Sequence, residues 1–428
     1  MSPAPMRSRP RHSARPAHNR VLVGLINGVA AVVGFALVYG GTSAFLLQSS
    51  FETHDVSSLL ESSDGDIAAA ASDDTPTDFA AGNPLNLVVI GSDERNGENG
   101  DIGGRVTEGM RGDTTMVMHI SANRSRIDVV SIPRDSRVRI SDCKMYDGSI
   151  KRGWTAKFNQ ALANGGINGD RGEGAACVIQ TVQDLTGLDL GGHFVVVDLS
   201  GFENMVDAID GVPMCIMQDM YSKKAKLDLT AGAQILDGKA ALAFARARTG
   251  SGLGGDGTDL ARIERQQELL TNTAQKILGM NLLTDVAELT HFMRAAAESL
   301  SMDNEMGSLK NIIGLAYSLR SFDTANLNFY TVPWHYPGDG SSDVVWTEPD
   351  ATQLWQSVID DEPITVAEPN VDLSDDPDTP TTLDHTTSAT PGASAAPSET
   401  APAEPTPSVS PSPLRETQEQ ILADCAAP

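Results

Sequence analysis

Basic side chains are scarce in this chain of 428 residues: 31 Lys and Arg stand against 57 Asp and Glu, for a formal net charge of −26. A chain with no basic face does not neutralise a phosphate backbone, so nucleic acid is excluded as a partner. No repeat of fixed period is present, which excludes a solenoid. Aromatic residues are few, and residues 363–428 carry almost none among their Pro, Ser, Thr, Ala and Asp. Such a segment cannot bury enough surface to offset chain entropy, so it reads as a disordered acidic tail. Residues 48–82 contain no Lys or Arg and are acidic and Ser/Ala-rich, which predicts a flexible linker.

Charge of either sign is missing from Val21–Leu47, a run longer than the ~20 residues that a membrane-spanning helix requires. It exceeds an ordinary signal-peptide core and ends without an A-x-A site, so a transmembrane helix is favoured over a cleaved leader. Residues 1–20 hold Arg7, Arg9, Arg11, Arg15 and Arg20. By the positive-inside rule they stay in the cytoplasm, which makes this a single-pass protein of the cell membrane with most of its chain outside. Four cysteines suit that compartment. Cys143 and Cys177 flank a glycine-rich loop and form the preferred pair. Cys215 lies in an apolar run and Cys425 in the tail, and free buried thiols at Cys177 and Cys215 are the alternative.

What remains is one globular body over residues 83–362. Short apolar or β-branched runs predict strands at Leu85–Ile90, Thr114–Ile120, Arg126–Ile132, Phe194–Leu199, Val212–Met217 and Leu327–Val332. Helical periodicity marks Ala175–Thr186, Ser200–Ile209, Asp237–Phe244, Asp259–Leu278, Leu282–Leu300 and Glu305–Ser318. The mixture implies an α/β body, a central mixed β-sheet flanked by helices.

In so acidic a body an anion is held by a focused cluster of arginines, and five segments offer one. Asp93 follows the run Leu85–Ile90, where ligands of open α/β sheets collect, although a turn-forming Asp reads the same way. Arg111 and Asp113 stand two apart before the next strand and present either a cation and a metal-binding carboxylate to one anion or a local ion pair. Pro133 fixes a turn that presents Arg134 at a strand end, and arginine suits planar recognition of phosphate oxygens. Arg246 and Arg248 share a face if their segment is extended. Two like charges side by side call for an anion between them. Asp259, Arg262 and Gln266 cluster on one face of a helix with Arg265 beside it, a solvated face or a binding one.

Taken in order, Asn86–Asp93, Arg111–Asp113, Ser131–Asp135, Lys157–Leu162, Gly201–Val212, Leu236–Arg248 and Asp259–Gln266 resemble the LytR-CpsA-Psr family over roughly residues 83–280. Asp210-Gly211-Val212 stands where that family often has Gly-Gly-Val, and Gly250–Gly257 reads as a glycine-rich insertion. The resemblance implies an α/β enzyme that moves a glycopolymer from a polyprenyl pyrophosphate carrier to peptidoglycan or a surface protein and releases polyprenyl phosphate. Asp93 and Asp113 would hold Mg²⁺, or Mn²⁺ as the alternative ion, and Asp93 is also the candidate base. Arg111, Arg134, Arg246 and Arg248 would bind the pyrophosphate, with Arg262, Arg265 and Gln266 beside them. Phe202, Met205, Val206 and Ile209 are candidates for a lipid cavity, though their spacing is also that of any core-facing helix. A pyrophosphatase using the same residues and a membrane-tethered binding module without turnover are the rival readings. Trp334, Trp346 and Trp355 read as packing residues in preference to sugar contacts.

Overall fold

The computed structural model describes residues 46–60, 77–94, 99, 102, 110–253, 259–278, 286–365 and 425. Its main sheet takes strands from both ends of the body: β1 (Glu52–His54), β2 (Leu85–Ser92), β3 (Gly112–Ile120), β4 (Ile127–Ile132) and β5 (Phe194–Val197). A separate hairpin, β6 (Val212–Ile216) with β7 (Gly232–Leu236), precedes the last two main strands, β8 (Leu300–Asp303) and β9 (Leu327–Thr331). The seven main strands run in the order β1-β8-β5-β2-β3-β4-β9. β2–β3, β3–β4 and β5–β8 are antiparallel pairs, while β1–β8, β2–β5 and β4–β9 are parallel, so the sheet is mixed. The helices are α1 (Gln160–Gly165), α2 (Arg171–Thr186), α3 (Leu199–Ala208), α4 (Gly238–Arg246), α5 (Asp259–Leu278), α6 (Val286–Ser299), α7 (Leu309–Ser318) and α8 (Asp350–Ile359).

Side chains alternate across the strands, so each strand supplies two cores. Val88, Ile90, Val117, Val130, Ile132, Phe194 and Val196 form one face and pack with Ala175, Ile179 and Val182 of α2 and with Leu354, Trp355 and Val358 of α8. The opposite face, through Met116, Val129 and Met118, meets Leu270 and Ala274 of α5. A further core lies between α3, α4, α5 and the β6–β7 hairpin, with Val206, Ile209, Val212, Phe244 and Leu269 at its centre. Trp334 and Trp355 are buried and Trp346 packs on the first core, as expected of packing residues.

Several expected boundaries move. The stretch read as a flexible linker begins the fold: Glu52–His54 pairs with β8, and Val56, Leu59 and Leu60 are buried in the first core. Its few apolar residues are the reason, since each finds a place against the sheet. Residues 77–83 are held by Arg124, which pairs with Asp78 at 2.7 Å and donates to the carbonyls of Ala80 and Asn83. The helix expected to run through Leu300 stops at Ser299, because Leu300–Asp303 joins the sheet between β1 and β5. The following helix starts at Leu309, four residues later than expected, because Asp303 Oδ1 accepts the amides of Glu305 and Met306 in a turn. At the far end Ile364 is buried in the first core, so the body extends past residue 362.

Residues 1–20, expected to be cytoplasmic, and all of the expected transmembrane helix Val21–Leu47 except Leu46 and Leu47 lie outside the described residues, as do residues 61–76 and 366–424. Among the described residues no helix is long and apolar enough to cross a membrane. Cys143 bonds Cys177, with Cα atoms 5.1 Å apart, and Cys215 bonds Cys425, with Cα atoms 5.4 Å apart. The alternative of free thiols at Cys177 and Cys215 is therefore corrected. In both bridges a buried or half-buried cysteine meets a partner within ordinary bridging distance.

Candidate active site

The second face of the sheet ends in a cavity of about 630 Å³. Its floor follows the two-residue period of the strands: Val89 and Gly91 from β2, Met116 and Thr114 from β3, and Val197 from β5. At the edge of β2 and β3 the register breaks. Gly91 pairs with Thr114 but Ser92 pairs with Gly112, which leaves Asp113 as an extra residue. A bulge of this kind re-aims a side chain. Asp113 and Thr114, neighbours that would alternate in a regular strand, both line the cavity. The carbonyl of Arg111 secures the bulge by accepting the amides of Asp93 (2.9 Å) and Asp113 (3.1 Å). At Gly91 a Cβ would come within 3.2 Å of Thr114 Cβ, so a larger residue there would press on β3.

Helices close the cavity from above. Leu199 and Phe202 come from α3, Leu242, Ala245 and Arg246 from α4, and Arg262, Gln266, Leu269 and Leu270 from α5. Sheet and helices both supply apolar members, and Arg111, Arg134, Lys224, Arg246, Arg248 and Arg262 supply positive charge. Three acids, Asp93, Asp113 and Asp198, line it as well. The cavity is thus cationic inside an acidic molecule. Arg134 Nη1 pairs with Asp113 at 2.7 Å and Arg246 Nη2 reaches Asp93 at 3.5 Å. Behind the wall, Asp135 takes Lys157 at 2.8 Å and Arg134 and Arg248 each at 3.5 Å. Burial pushes the Asp135 carboxyl up, but the Lys157 hydrogen bond and the charges of Arg134 and Arg248 outweigh it and hold it below the usual carboxylate range.

Of the residues singled out from sequence, Asp93, Arg111, Asp113, Arg134, Arg246, Arg248, Arg262, Gln266 and Phe202 meet around this one cavity. Arg246 and Arg248 arrive by another route than expected. The segment is helical to Arg246, and the turn at Ala247 (φ −63°, ψ 127°) brings Arg248 back to the same cavity. Arg265 does not face the cavity. It is buried and donates to the carbonyls of Phe244, Ala247 and Leu253, capping the end of α4, and burial with Arg262 nearby pushes its guanidinium below the ordinary arginine value. A helix C-terminus leaves carbonyls in need of donors, and Arg265 meets that need. Val206 and Ile209 lie in the core beneath α3, and Met205 is half-buried away from the cavity lining, so of the four proposed lipid-contacting residues the cavity takes Phe202.

Sequence reasoning missed Asn159, Asp198 and Lys224. Asn159 sits within the quoted Lys157–Leu162 motif, buried, with its amide bonded to the Arg134 carbonyl at 3.1 Å. Asp198 caps α3 through the amide of Gly201 and accepts Arg171 Nη2 at 2.6 Å and Asn99 Nδ2 at 3.0 Å. An Asp before a helix signals a cap and nothing more, so no sequence signal marked it. Lys224 had one: three lysines within four residues of an acidic chain.

The residues that could hold a divalent cation are Asp93, just past the end of β2, and Asp113, near the start of β3, both lining the cavity with hard oxygens. Among the described residues no cluster of three or more His, Cys, Asp and Glu forms a closed metal cage. Two carboxylates beside a cationic cavity suit Mg²⁺, which keeps several positions for water or phosphate oxygens.

Residues 52–359 match the model of the LytR_cpsA_psr family, an interval that begins at β1 and ends at the last residue of α8. A probable cell wall biosynthesis protein LcpB of Corynebacterium glutamicum is 36% identical over 193 residues, 44% of this chain and 40% of that protein. A polyisoprenyl-teichoic acid–peptidoglycan teichoic acid transferase TagU of Enterococcus faecalis is 28% identical over 54% of this chain and 64% of its own length. The matches thus span less than two thirds of these relatives. A Streptococcus agalactiae protein of known crystal structure shares the fold, with a TM-score of 0.51 at 19% identity over 67% of this chain and 91% of that one. With a match that covers most of the body and every strand of the main sheet, this chain belongs to the LytR_cpsA_psr family.

Proposed function

We propose that this protein is a phosphotransferase that moves a glycopolymer from a polyprenyl pyrophosphate carrier onto peptidoglycan or a surface protein, with release of polyprenyl phosphate. The observation that carries the reading is one cavity lined both by apolar side chains (Val89, Met116, Leu199, Phe202, Leu269, Leu270) and by cationic ones (Arg111, Arg134, Arg246, Arg248, Arg262). Such a cavity matches an amphiphile whose pyrophosphate joins an isoprenoid tail to a sugar. TagU and LcpB are named for related cell-wall chemistry. The reading also makes Val21–Leu47 a single-pass anchor and places the body outside the cell membrane.

In the proposed step an acceptor hydroxyl oxygen attacks the phosphorus next to the sugar. The bond from that phosphorus to the bridging oxygen breaks, and the bridging oxygen leaves on polyprenyl phosphate. Arg134, Arg246 and Arg248 stabilise the charge that gathers on the leaving phosphate, each already oriented by a carboxylate. The hydroxyl proton passes to a carboxylate of the cavity, for which Asp93 is the candidate. Mg²⁺ held by Asp93 and Asp113 would supply further neutralisation of the pyrophosphate.

The test gives the purified chain a synthetic polyprenyl pyrophosphate glycan, an acceptor glycan and Mg²⁺, beside an Arg134→Ala variant. Product joined to the acceptor is expected, with a loss on the order of 100-fold in the variant. Release of glycan phosphate into water alone would favour the pyrophosphatase reading, and tight donor binding without turnover a binding module.

A further inference from the structure

Three lysines, Lys223, Lys224 and Lys226, occupy the tip of the hairpin formed by Met220–Ser222 and Leu227–Leu229. All three are exposed, and among the described residues none forms a salt bridge. The acids of the hairpin lie away from the tip: Asp219 accepts the Ala231 amide, and Asp228 stands across from Tyr221. In a chain of net charge −26 this turn is a local reversal of sign. The strand leading into it also exposes Tyr221 (52%) and, just before it, Met217 (87%).

The hairpin is fixed to the cavity rim. Tyr221 exchanges backbone hydrogen bonds with Ser251 at 3.0 and 2.9 Å, and Ser222 Oγ donates to the Thr249 carbonyl at 2.7 Å. Gly250 and Gly252 permit this contact, because a Cβ on either would lie 1.9 Å from the carbonyl oxygens of Tyr221 and Asp219. This gives the start of the glycine-rich insertion a role. Thr249 follows Arg248, and Thr249, Lys224 and Ala225 all line the cavity.

We propose that the Met220–Leu229 hairpin docks on the surface of an anionic bilayer and sets the mouth of the cavity against it. The inference rests on the transferase reading, because a carrier with an isoprenoid tail must pass between bilayer and cavity. Lysines attract anionic headgroups, and exposed Tyr and Met tolerate the interface. An acidic body would otherwise be repelled by the same surface.

The experiment reconstitutes the full chain in nanodiscs of phosphatidylcholine alone or with one third phosphatidylglycerol and follows amide hydrogen exchange. Amides of Lys223–Lys226 exchange about fivefold more slowly in the anionic discs, while those of β6 and β7 are unchanged. In a Lys223→Gln/Lys226→Gln variant the difference disappears, and exchange in neutral discs matches the parent, which shows that the fold is intact. Equal exchange in the two lipids, or a difference that survives the variant, overturns docking. So does the same protection produced in neutral discs by inorganic pyrophosphate, which would make the tip a cavity ligand. Exchange reads docking without turnover, so a chain that docks and fails to transfer removes only the transferase reading.

Discussion

Asp135 is not among the residues lining the cavity, yet Lys157, Arg134 and Arg248 all lean on it. Its carboxyl is held below the usual range, so it is ionised throughout ordinary pH. A depressed folded value means that its stabilising contribution is complete above the unfolded value near 4 and is lost only as pH falls below that. We predict that Asp135→Asn lowers transfer at least about tenfold, roughly 1.4 kcal/mol of barrier. The loss should be uniform from pH 6 to 8, and a pH-rate profile whose shape changes in that window would contradict this account. Asp210 offers a stability test. It holds φ at +56°, next to Gly211 at +80°, so it occupies a left-handed position that favours glycine. Asp tolerates that region better than most residues but not freely. Asp210→Gly should raise stability by a few tenths to about 1 kcal/mol, seen as a higher midpoint in thermal denaturation with donor binding unchanged.

Among the elements, α1, β7 and α8 went unpredicted, β8 was read as the end of a helix, and β1 was concealed by composition. Its three residues, Glu52–His54, carry no apolar alternation, and acidic Ser/Ala-rich neighbours hide the isolated Val56, Leu59 and Leu60. The longer strands were legible because nearly continuous apolar runs such as Leu85–Ile90 bury both faces. The site was legible where charge and spacing recur, as at Arg134, Arg246 and Arg248, and illegible where only tertiary packing decides. Arg265 shows this: a helical wheel puts it beside Arg262, but the end of α4 claims it. Removing residues 51–60 takes away four buried apolar side chains, Phe51, Val56, Leu59 and Leu60, worth about 1.5–3 kcal/mol each, which together rival the stability of a whole domain. A fragment of residues 83–362 is therefore expected to aggregate, and one of residues 51–365 to give a cooperative melt. Glu52 refines the test. A hydrogen bond with His54 outweighs burial and, with Ser301 and Arg171, holds its carboxyl at about 2. This contribution is full above about 4.5 and fades as pH falls toward 2. Glu52→Gln should be less stable than the parent at pH 7, with the gap closing below pH 4.

At the scale of the whole molecule, the covalent path is longer than any local pattern reveals. Cys143 and Cys177 lie 34 residues apart, and in the chain-entropy view closing that loop stabilises by about 3–4 kcal/mol. Cys215 and Cys425 lie 210 residues apart, so the second bridge ties the C-terminal segment to the β6–β7 hairpin. Residue spacing has no means of announcing a partner so distant, since four cysteines admit three pairings. The tryptic map distinguishes them. Cleavage after Lys and Arg leaves Cys143 in Ile140–Lys144, Cys177 and Cys215 together in Gly172–Lys223, and Cys425 in Glu416–Pro428. Without reductant these three peptides should travel as one species and separate on reduction. A bridge between Cys177 and Cys215 would instead release Gly172–Lys223 alone. Pairing of Cys143 with Cys215 would give the same three-peptide mass, so a second cut at Asp184, Asp189 or Asp198 is needed. After it, the piece with Cys177 should carry Ile140–Lys144, and the piece with Cys215 should carry Glu416–Pro428. The opposite partition would separate the C-terminal segment from the hairpin and attach it to α2.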